Sequence, residues 1–289
     1  MKKVVITGEN GYIGSNISKW LEQFSDEFYV VKKLDVRTDE WKQFDFSDID
    51  VVIHTAAIVH SPDIKDINIY KRVNTDLSFE IAKVAKSAGV KQFVFFSTMA
   101  VYGLGKRLTI NTITEETKEN PHSAYGVSKY LAEKKIQSIE DSNFKIIIVR
   151  PPNVYGKNCK GGYISGFKAV VSKLPAIPYA FPNVKQSMIY IDNLCEFIRL
   201  ALNKDVSGVF MPQDDIAVSA VELMKCISIG FGQKKKVSKC LGVGVYILSF
   251  LSIIKKAYGG IEYDKKMTSY FNNEYIVVPF KEGIKRTVK

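Results

Sequence analysis

Apolar runs of four to seven residues recur through the first half of the chain, each closed by small or polar residues. Val4 to Thr7, Phe28 to Leu34, Val51 to His54, Gln92 to Ser97 and Lys145 to Arg150 read as strands. Between them the apolar positions take a helical period, over Tyr12 to Phe24, Thr75 to Ala88 and Ala124 to Ile139. Gly89 follows the second of these helices as a stop signal. Strands alternating with helices predict an α/β fold, with a parallel sheet covered by helices on both faces. After Arg150 the alternation fades. Pro151, Pro152, Pro175, Pro178 and Pro182 interrupt the segment, which predicts a smaller, partly irregular C-terminal lobe. The expected division is 1–150, rejoined by 186–206, for the sheet domain, and 151–185 with 207–289 for the second lobe.

On such a sheet, ligands sit beyond the carboxyl ends of the strands. The polar motifs fall there: Gly8 after the first strand, Ala56-Ala57 after the third, Ser97-Thr98 at the fourth, Pro151-Pro152 after the fifth. Gly8 permits a tight turn, Gly11 lets the backbone approach a pyrophosphate, and Gly14 lets the helix pack on the strand. The N-terminus of that helix offers unpaired N–H groups and a partial positive charge to phosphates. A strand before and a helix after are the context this glycine spacing requires of a dinucleotide site.

Tyr125 and Lys129 are four apart in SAYGVSKYLAEKK, so they share one helix face. A free tyrosine, with a pKa near 10, is a poor base at neutral pH. A neighbouring ammonium, helped by a positive nicotinamide, stabilises the phenolate. Thr98 is placed to hydrogen-bond the reacting oxygen. Together the two motifs predict hydride transfer at a carbinol carbon.

Composition is that of a soluble globular chain of 289 residues, 46% apolar and 25% charged. The apolar run after Met1-Lys2-Lys3 ends at Gly8, too short for a signal peptide, so a cytoplasmic location is expected. Cys159, Cys195, Cys226 and Cys240 are widely spaced, and the histidines are only His54, His60 and His122, so no metal site is expected. The net charge of +11 points to anionic partners. No RNP motif or recognition helix accompanies it, so nucleic acid is not expected.

Six segments carry a wider resemblance: TGENGYIGSN at the start, DVVIHTAA at 50–57, VNTD at 73–76, FFSTMAVYG at 95–103, SAYGVSK at 123–129 and RPPNVYG at 150–156. SMIYIDNL at 187–194 is a weaker seventh. The chain resembles extended short-chain dehydrogenase/reductases of the NAD-dependent epimerase/dehydratase family. The resemblance implies a Rossmann-type, doubly wound sheet and a nucleotide-diphosphate sugar substrate. It implies that Gly8, Gly11 and Gly14, with the N–H groups of Tyr12 and Ile13, hold the pyrophosphate. Ala56 and Ala57 line the adenine and ribose, Ser97 joins the cofactor site, and Asn74 supports the active-site helix or touches the cofactor. Thr98, Tyr125 and Lys129 form the catalytic triad, with Tyr125 and Lys129 also at the nicotinamide end. Pro151 and Val154 flank the nicotinamide, and Asn153 meets the substrate.

Three departures from the family pattern qualify this. The stretch LDVRTDEWKQFDFSDID is short. Asp35 is placed for a ribose or adenine contact and Arg37 for a 2′-phosphate, so NAD and NADP both stand. Thr98 is followed by Met99-Ala100, where sugar 4,6-dehydratases of this kind carry an Asp-Glu pair. An arginine usual before SMIYIDNL is replaced by Gln186 with Lys185 beside it, and these two are read as substrate residues lacking the bidentate fork. The expected activity is 4-epimerisation, in which Tyr125 takes the proton of the sugar 4-hydroxyl. A one-way 4-keto-sugar reductase of surface-polysaccharide synthesis is the alternative. A non-catalytic dinucleotide-binding scaffold or sensor is a third. A homodimer through 75–88 and 124–139 is implied by the resemblance alone.

One segment stands apart. Cys240 to Ile254 is almost wholly apolar, with Lys234, Lys235, Lys236 and Lys239 before it and Lys255-Lys256 after. Two readings stand: a packing helix with a charged collar, or, over 234–256, a peripheral contact with the inner face of a membrane.

Overall fold

A computed structural model of the protein describes residues 1–8, 10–59, 66–159 and 162–289. His60 lies outside the described residues. The chain opens with β1 (Lys2–Thr7), α1 (Tyr12–Leu21), β2 (Phe28–Leu34) and β3 (Val51–His54). A helical run follows, built of α2 (Ile67–Tyr70), a wider π-type stretch over Lys71–Leu77, and α3 (Ser78–Ser87). Next come β4 (Gln92–Phe96), the short β5 (Thr112–Ile113), α4 (Ala124–Gln137) and β6 (Lys145–Val149). Past Arg150 the chain forms β7 (Asn153–Tyr155), α5 (Gly162–Lys173), β8 (Ile177–Pro178), β9 (Lys185–Gln186), β10 (Met188–Tyr190) and α6 (Ile191–Asn203). It ends with β11 (Gly208–Phe210), β12 (Val218–Ser219), α7 (Ala220–Gly230), β13 (Val237–Ser238), α8 (Lys239–Ile247), α9 (Ser252–Tyr258), β14 (Glu262–Tyr263) and α10 (Phe280–Val288).

These elements form two compact units. The first comprises Met1–Gly103, Lys118–Pro151 and Cys195–Met211. The second comprises Leu104–Thr117, Pro152–Leu194 and Pro212–Lys289.

The first unit holds a six-stranded sheet in the order β11-β6-β4-β3-β1-β2, parallel throughout. From β1 the chain moves outward to β2, then crosses back to β3 on the other side. The order therefore reverses between β1 and β3, and a ligand crevice is expected there. Alternate residues explain the double cover. Val5, Val52, Phe93, Phe95, Ile146 and Ile148 pack with Ile81, Ala82 and Ala85 of α3 and Ala132 and Ile136 of α4. Their strand neighbours Val4, Ile6, Val51, Ile53, Val94 and Ile147 are equally buried. On that second face α1 and α6 are joined by Trp20 Nε1 donating to Glu196 Oε2 at 2.9 Å. Burial of both alternating sets is the reason these strands read as continuous apolar runs.

The second unit uses two-stranded pairings: β10 with β7, β13 with β8 and β14 with β5 in parallel, and β12 with β9 antiparallel. The buried Asp214 centres one of its polar knots. It accepts from Tyr155 Oη at 2.7 Å, Tyr190 N at 2.9 Å and Asn193 Nδ2 at 2.8 Å. Burial pushes this carboxyl up to about 7. The region beyond Arg150 combines helices with strands of two or three residues. Pro151, Pro152, Pro175, Pro178 and Pro182 all fall outside the helices, where they separate elements rather than break them.

Candidate active site

The loop after β1 turns at Gly8, whose φ of +74° suits glycine. A Cβ there would lie 2.7 Å from the Ala56 nitrogen, so only glycine lets β1 and the end of β3 approach this closely. Gly11 caps α1, with its N–H donating to Gly8 O at 2.8 Å. Gly14 lies in the first turn of α1 against Thr55. Thr55 Oγ1 donates to Thr7 O at 2.6 Å, fixing the two strand ends together. A cavity of about 210 Å³ opens at this reversal point. Gly8, Asn10, Gly11, Thr55, Ala56 and Ala57 line one part of it, and Asp35, Val36 and Arg37 the other.

Asp35 and Arg37 are joined. Arg37 Nε donates to both carboxylate oxygens at 3.0 Å, and Nη2 donates to Oδ2 at 2.5 Å. The guanidinium holds the Asp35 carboxyl down at about 2. The two residues therefore present an acceptor and a cation side by side at the end of β2.

Asn74 is fully buried in the π-type stretch. Its Oδ1 accepts from Ile58 N at 2.8 Å, and its Nδ2 donates to Ile58 O at 2.9 Å and Ser128 Oγ at 3.1 Å. It clamps the loop after β3 to α4. Of the two roles read from the sequence, the geometry fits support of the active-site helix, because these bonds engage the whole amide.

On α4, Ser123 caps the helix by accepting from Gly126 N at 3.0 Å. A Cβ on Gly126 would stand 2.8 Å from Ala100 O. That close approach brings α4 against the turn that starts at Thr98. Thr98 in turn accepts from Ala100 N at 3.2 Å, which fixes its side chain. The Tyr125 hydroxyl lies near enough to Thr98 for that side chain to favour its ionised form. Lys129 is 1% exposed, and its Nζ donates to Phe96 O at 2.7 Å with the ammonium 4.5 Å over the Phe95 ring. Thr98, Tyr125 and Lys129 are thus brought together at the carboxyl end of β4.

The electrostatics of the site are set mainly by burial. In the protein alone, burial pushes the Tyr125 phenol up to about 12, and the Thr98 contact only partly opposes this. Burial pulls the Lys129 ammonium down to about 7, with Glu133 acting the other way. The lysine by itself does not activate the tyrosine, because its own charge is costly in this dry site. His54 is also held neutral, pulled down to about 3 by burial and then by Lys129. Its ring bridges Thr7 Oγ1 and Ser78 Oγ, each at 2.8 Å, which is a packing role.

Ser97 carries a buried hydroxyl with no partner among the described residues. An orphaned hydroxyl beside Thr98, a glycine-lined cavity and the N-terminus of α1 fit a dinucleotide across this edge of the sheet. Pro151 is buried in the first unit, and its carbonyl accepts from Met99 N at 3.2 Å.

The remaining candidates lie in the second unit. Asn153 and Val154 line a cavity of about 520 Å³ whose cations include Lys157 and Lys168. Lys185 lines a different one of about 530 Å³, among Asp215, Glu222, Glu262 and Asp264. Lys265 lines it too, so four carboxylates face two lysines there. Gln186 is 3% exposed, and its Nε2 donates to Ser187 O and Ile261 O, both at 3.0 Å. The structure places the Lys185 and Gln186 side chains apart from each other, the first on a cavity wall shared with Lys265 and four carboxylates and the second buried.

Sequence reading also missed a buried network. Arg150 donates to Glu133 through Nε at 3.0 Å and Nη2 at 2.6 Å, to Tyr102 Oη at 2.9 Å, and pairs with Glu119 at 2.8 Å. Glu133 lies one turn beyond Lys129 on the same helix. That spacing was the available signal. Among the described residues no group of three or more His, Cys, Asp or Glu is placed to hold a metal, and no helix is long and apolar enough to cross a membrane.

Residues 4–210 match the profile of the NAD dependent epimerase/dehydratase family. A UDP-glucose 4-epimerase of Vibrio cholerae is 31% identical over 250 residues, covering 79% of this chain and 75% of that protein. An N-acetyl-alpha-D-glucosaminyl-diphospho-ditrans,octacis-undecaprenol 4-epimerase of Escherichia coli O157:H7 is 26% identical over 219 residues, 71% of this chain and 64% of that one. In fold, the chain is similar to a UDP-glucuronic acid 4-epimerase from Bacillus cereus, crystallised with NAD. That likeness has a TM-score of 0.73 at 19% identity and covers 99% of this chain and 95% of that one.

Proposed function

We propose, since the chain belongs to the NAD dependent epimerase/dehydratase family, that it is a nucleotide-sugar 4-epimerase that retains its dinucleotide through turnover. The observation that carries this reading is the placement of Tyr125 beside Thr98, with Lys129 buried one turn along α4 and its Nζ on the Phe96 carbonyl. Gly8, Gly11, the opening N–H groups of α1, Ala56, Ala57 and Ser97 would hold the cofactor, so dinucleotide binding is assigned to the first unit. Sugar-nucleotide binding is assigned to the second, with Asn153 and the neighbouring Lys157 and Lys168 in place of Lys185 and Gln186.

An oxidised nicotinamide supplies, when bound, a hydride acceptor for the carbinol carbon and a positive charge near the phenol. Tyr125 takes the proton of the sugar 4-hydroxyl and later returns it. Thr98 holds the phenol and guides the proton. A phenol at about 12 is five units above neutrality, a cost on the order of 7 kcal/mol for the phenolate at pH 7. The pair Lys129 and bound cofactor, rather than Lys129 alone, lowers it. Lys129 fixes the carboxyl end of β4 through Phe96 O and supplies the second cation when protonated. Met99 and Ala100, which follow Thr98, have no acid or base to expel water, which argues against a dehydratase.

The same reading assigns a homodimer to α3 and α4; α4 leaves Val127 and Leu131 exposed. A one-way 4-keto-sugar reductase is the second reading, favoured by Arg37 in the cavity wall, where it suits a 2′-phosphate. Mass spectrometry of the nucleotide released on denaturing fresh protein separates the two. Stoichiometric NAD⁺ is expected. An empty site that takes up added NADPH reversibly would overturn the epimerase in favour of the reductase.

A further inference from the structure

We propose that the α8–α9 segment of the second unit docks the protein on an anionic lipid bilayer. This inference is independent of the epimerase reading. α8 contacts its own unit on one side only. A Cβ on Gly242 would stand 2.1 Å from Tyr179 O, so the helix lies directly on that backbone. Val245 is buried beside it, and Tyr246 Oη accepts from Phe181 N at 3.0 Å. In α9 only Tyr258 is buried.

The opposite side is open to solvent among the described residues. Ile247, Phe250 and Ile253 are 67%, 70% and 68% exposed, and Val243 is 57% exposed. Leu241, Leu248 and Leu251 are also exposed. These residues run continuously over the end of α8, the turn and the start of α9. Scattered surface leucines need no explanation, but a contiguous apolar tip of this kind marks an interaction site.

Charge identifies the partner. Between Glu222 and Glu262 the sequence has no carboxylate and seven lysines, Lys225, Lys234, Lys235, Lys236, Lys239, Lys255 and Lys256. Lys234, Lys236, Lys239, Lys255 and Lys256 are exposed. An apolar tip between lysines is the layout of an element that lies in the headgroup layer, apolar side chains inward and ammonium groups on phosphates. α8 and α9 have nine and seven residues, far short of the about 20 needed to span a bilayer. The segment therefore dips into one leaflet. A second copy of the chain is a worse occupant, because a symmetric contact would bring both lysine sets together without a carboxylate between them.

The test is flotation of the full chain with vesicles of phosphatidylcholine and phosphatidylglycerol, beside phosphatidylcholine alone. Binding to the anionic vesicles at low salt is expected, falling about tenfold or more at 0.5 M salt or on the neutral vesicles. Ile247→Ser, Phe250→Ser and Ile253→Ser combined should abolish flotation with an unchanged melting temperature, since all three are exposed. In a separate Phe250→Trp protein, an emission blue shift and quenching by acyl-brominated lipid are expected on vesicles. No flotation at low salt overturns the proposal, as does flotation that survives the triple change. Loss of a dimer on the triple change, without an effect of lipid, would assign the face to self-association instead.

Discussion

Tyr125→Phe lowers kcat by about three orders of magnitude, with the fold and the bound dinucleotide retained. Phenylalanine fills the same space on α4, so packing against the turn after Thr98 persists. What is lost is the one oxygen placed to take and return the substrate proton. General acid–base catalysis by one positioned group contributes roughly 10²–10⁴-fold. The upper half of that range is expected because Thr98 Oγ1 already accepts from Ala100 N, and a threonine hydroxyl is far weaker as a base. A steady-state assay with the melting temperature and released nucleotide measured on the same sample gives the result. A scaffold or sensor, the third reading of the sequence, would keep its activity in the variant, and so would an enzyme whose base lies elsewhere.

Arg150→Met destabilises the first unit by about 3–5 kcal/mol, the usual result of removing one partner from a buried ion pair. Glu133 is wholly buried, and its carboxylate accepts from Arg150 Nε and Nη2. Without the guanidinium it becomes a dry, uncompensated charge, and Tyr102 Oη and Glu119 lose their contacts to it. The melting temperature should fall by roughly 10 °C. Adding Glu133→Met should restore much of the loss, because an apolar pair in the same space has no charge to desolvate. Glu133 also raises the Lys129 pKa. Its removal therefore lowers that pKa further, so the double variant should regain stability but not full activity at neutral pH. A double variant no more stable than Arg150→Met would contradict this account of the network.

The sheet was legible in the sequence because its strands are buried on both faces. Continuous apolar runs such as Val51 to His54 leave no other arrangement. The Gly8 loop was legible for a similar reason: backbone contact at the end of β1 excludes side chains, and glycine records that directly. The helical run before α3 was not. Its π-type stretch over Lys71–Leu77 shifts the periodicity by one residue per turn, so the start at Ile67 left no 3.6-residue pattern to read.

Side-chain direction was the least legible feature. Lys185 and Gln186 form a two-residue strand, so one points out and the other in. Nothing in the sequence says which, or that carboxylates surround the lysine. The Tyr125–Lys129 spacing placed both residues on one face, yet burial, the larger influence on both, depends on residues far away in the chain. Arg150 read as the end of a strand, and its partner Glu133 lies across the fold rather than nearby in sequence.

The most direct measurement follows the C4 hydrogen. A panel of UDP- and dTDP-hexoses deuterated at C4 is incubated with the purified protein without added dinucleotide, and the sugars are examined by NMR. Accumulation of one C4 epimer with deuterium retained at C4 is the predicted result. No epimer from any of them, or turnover only with added NADPH and a 4-keto sugar, would contradict it.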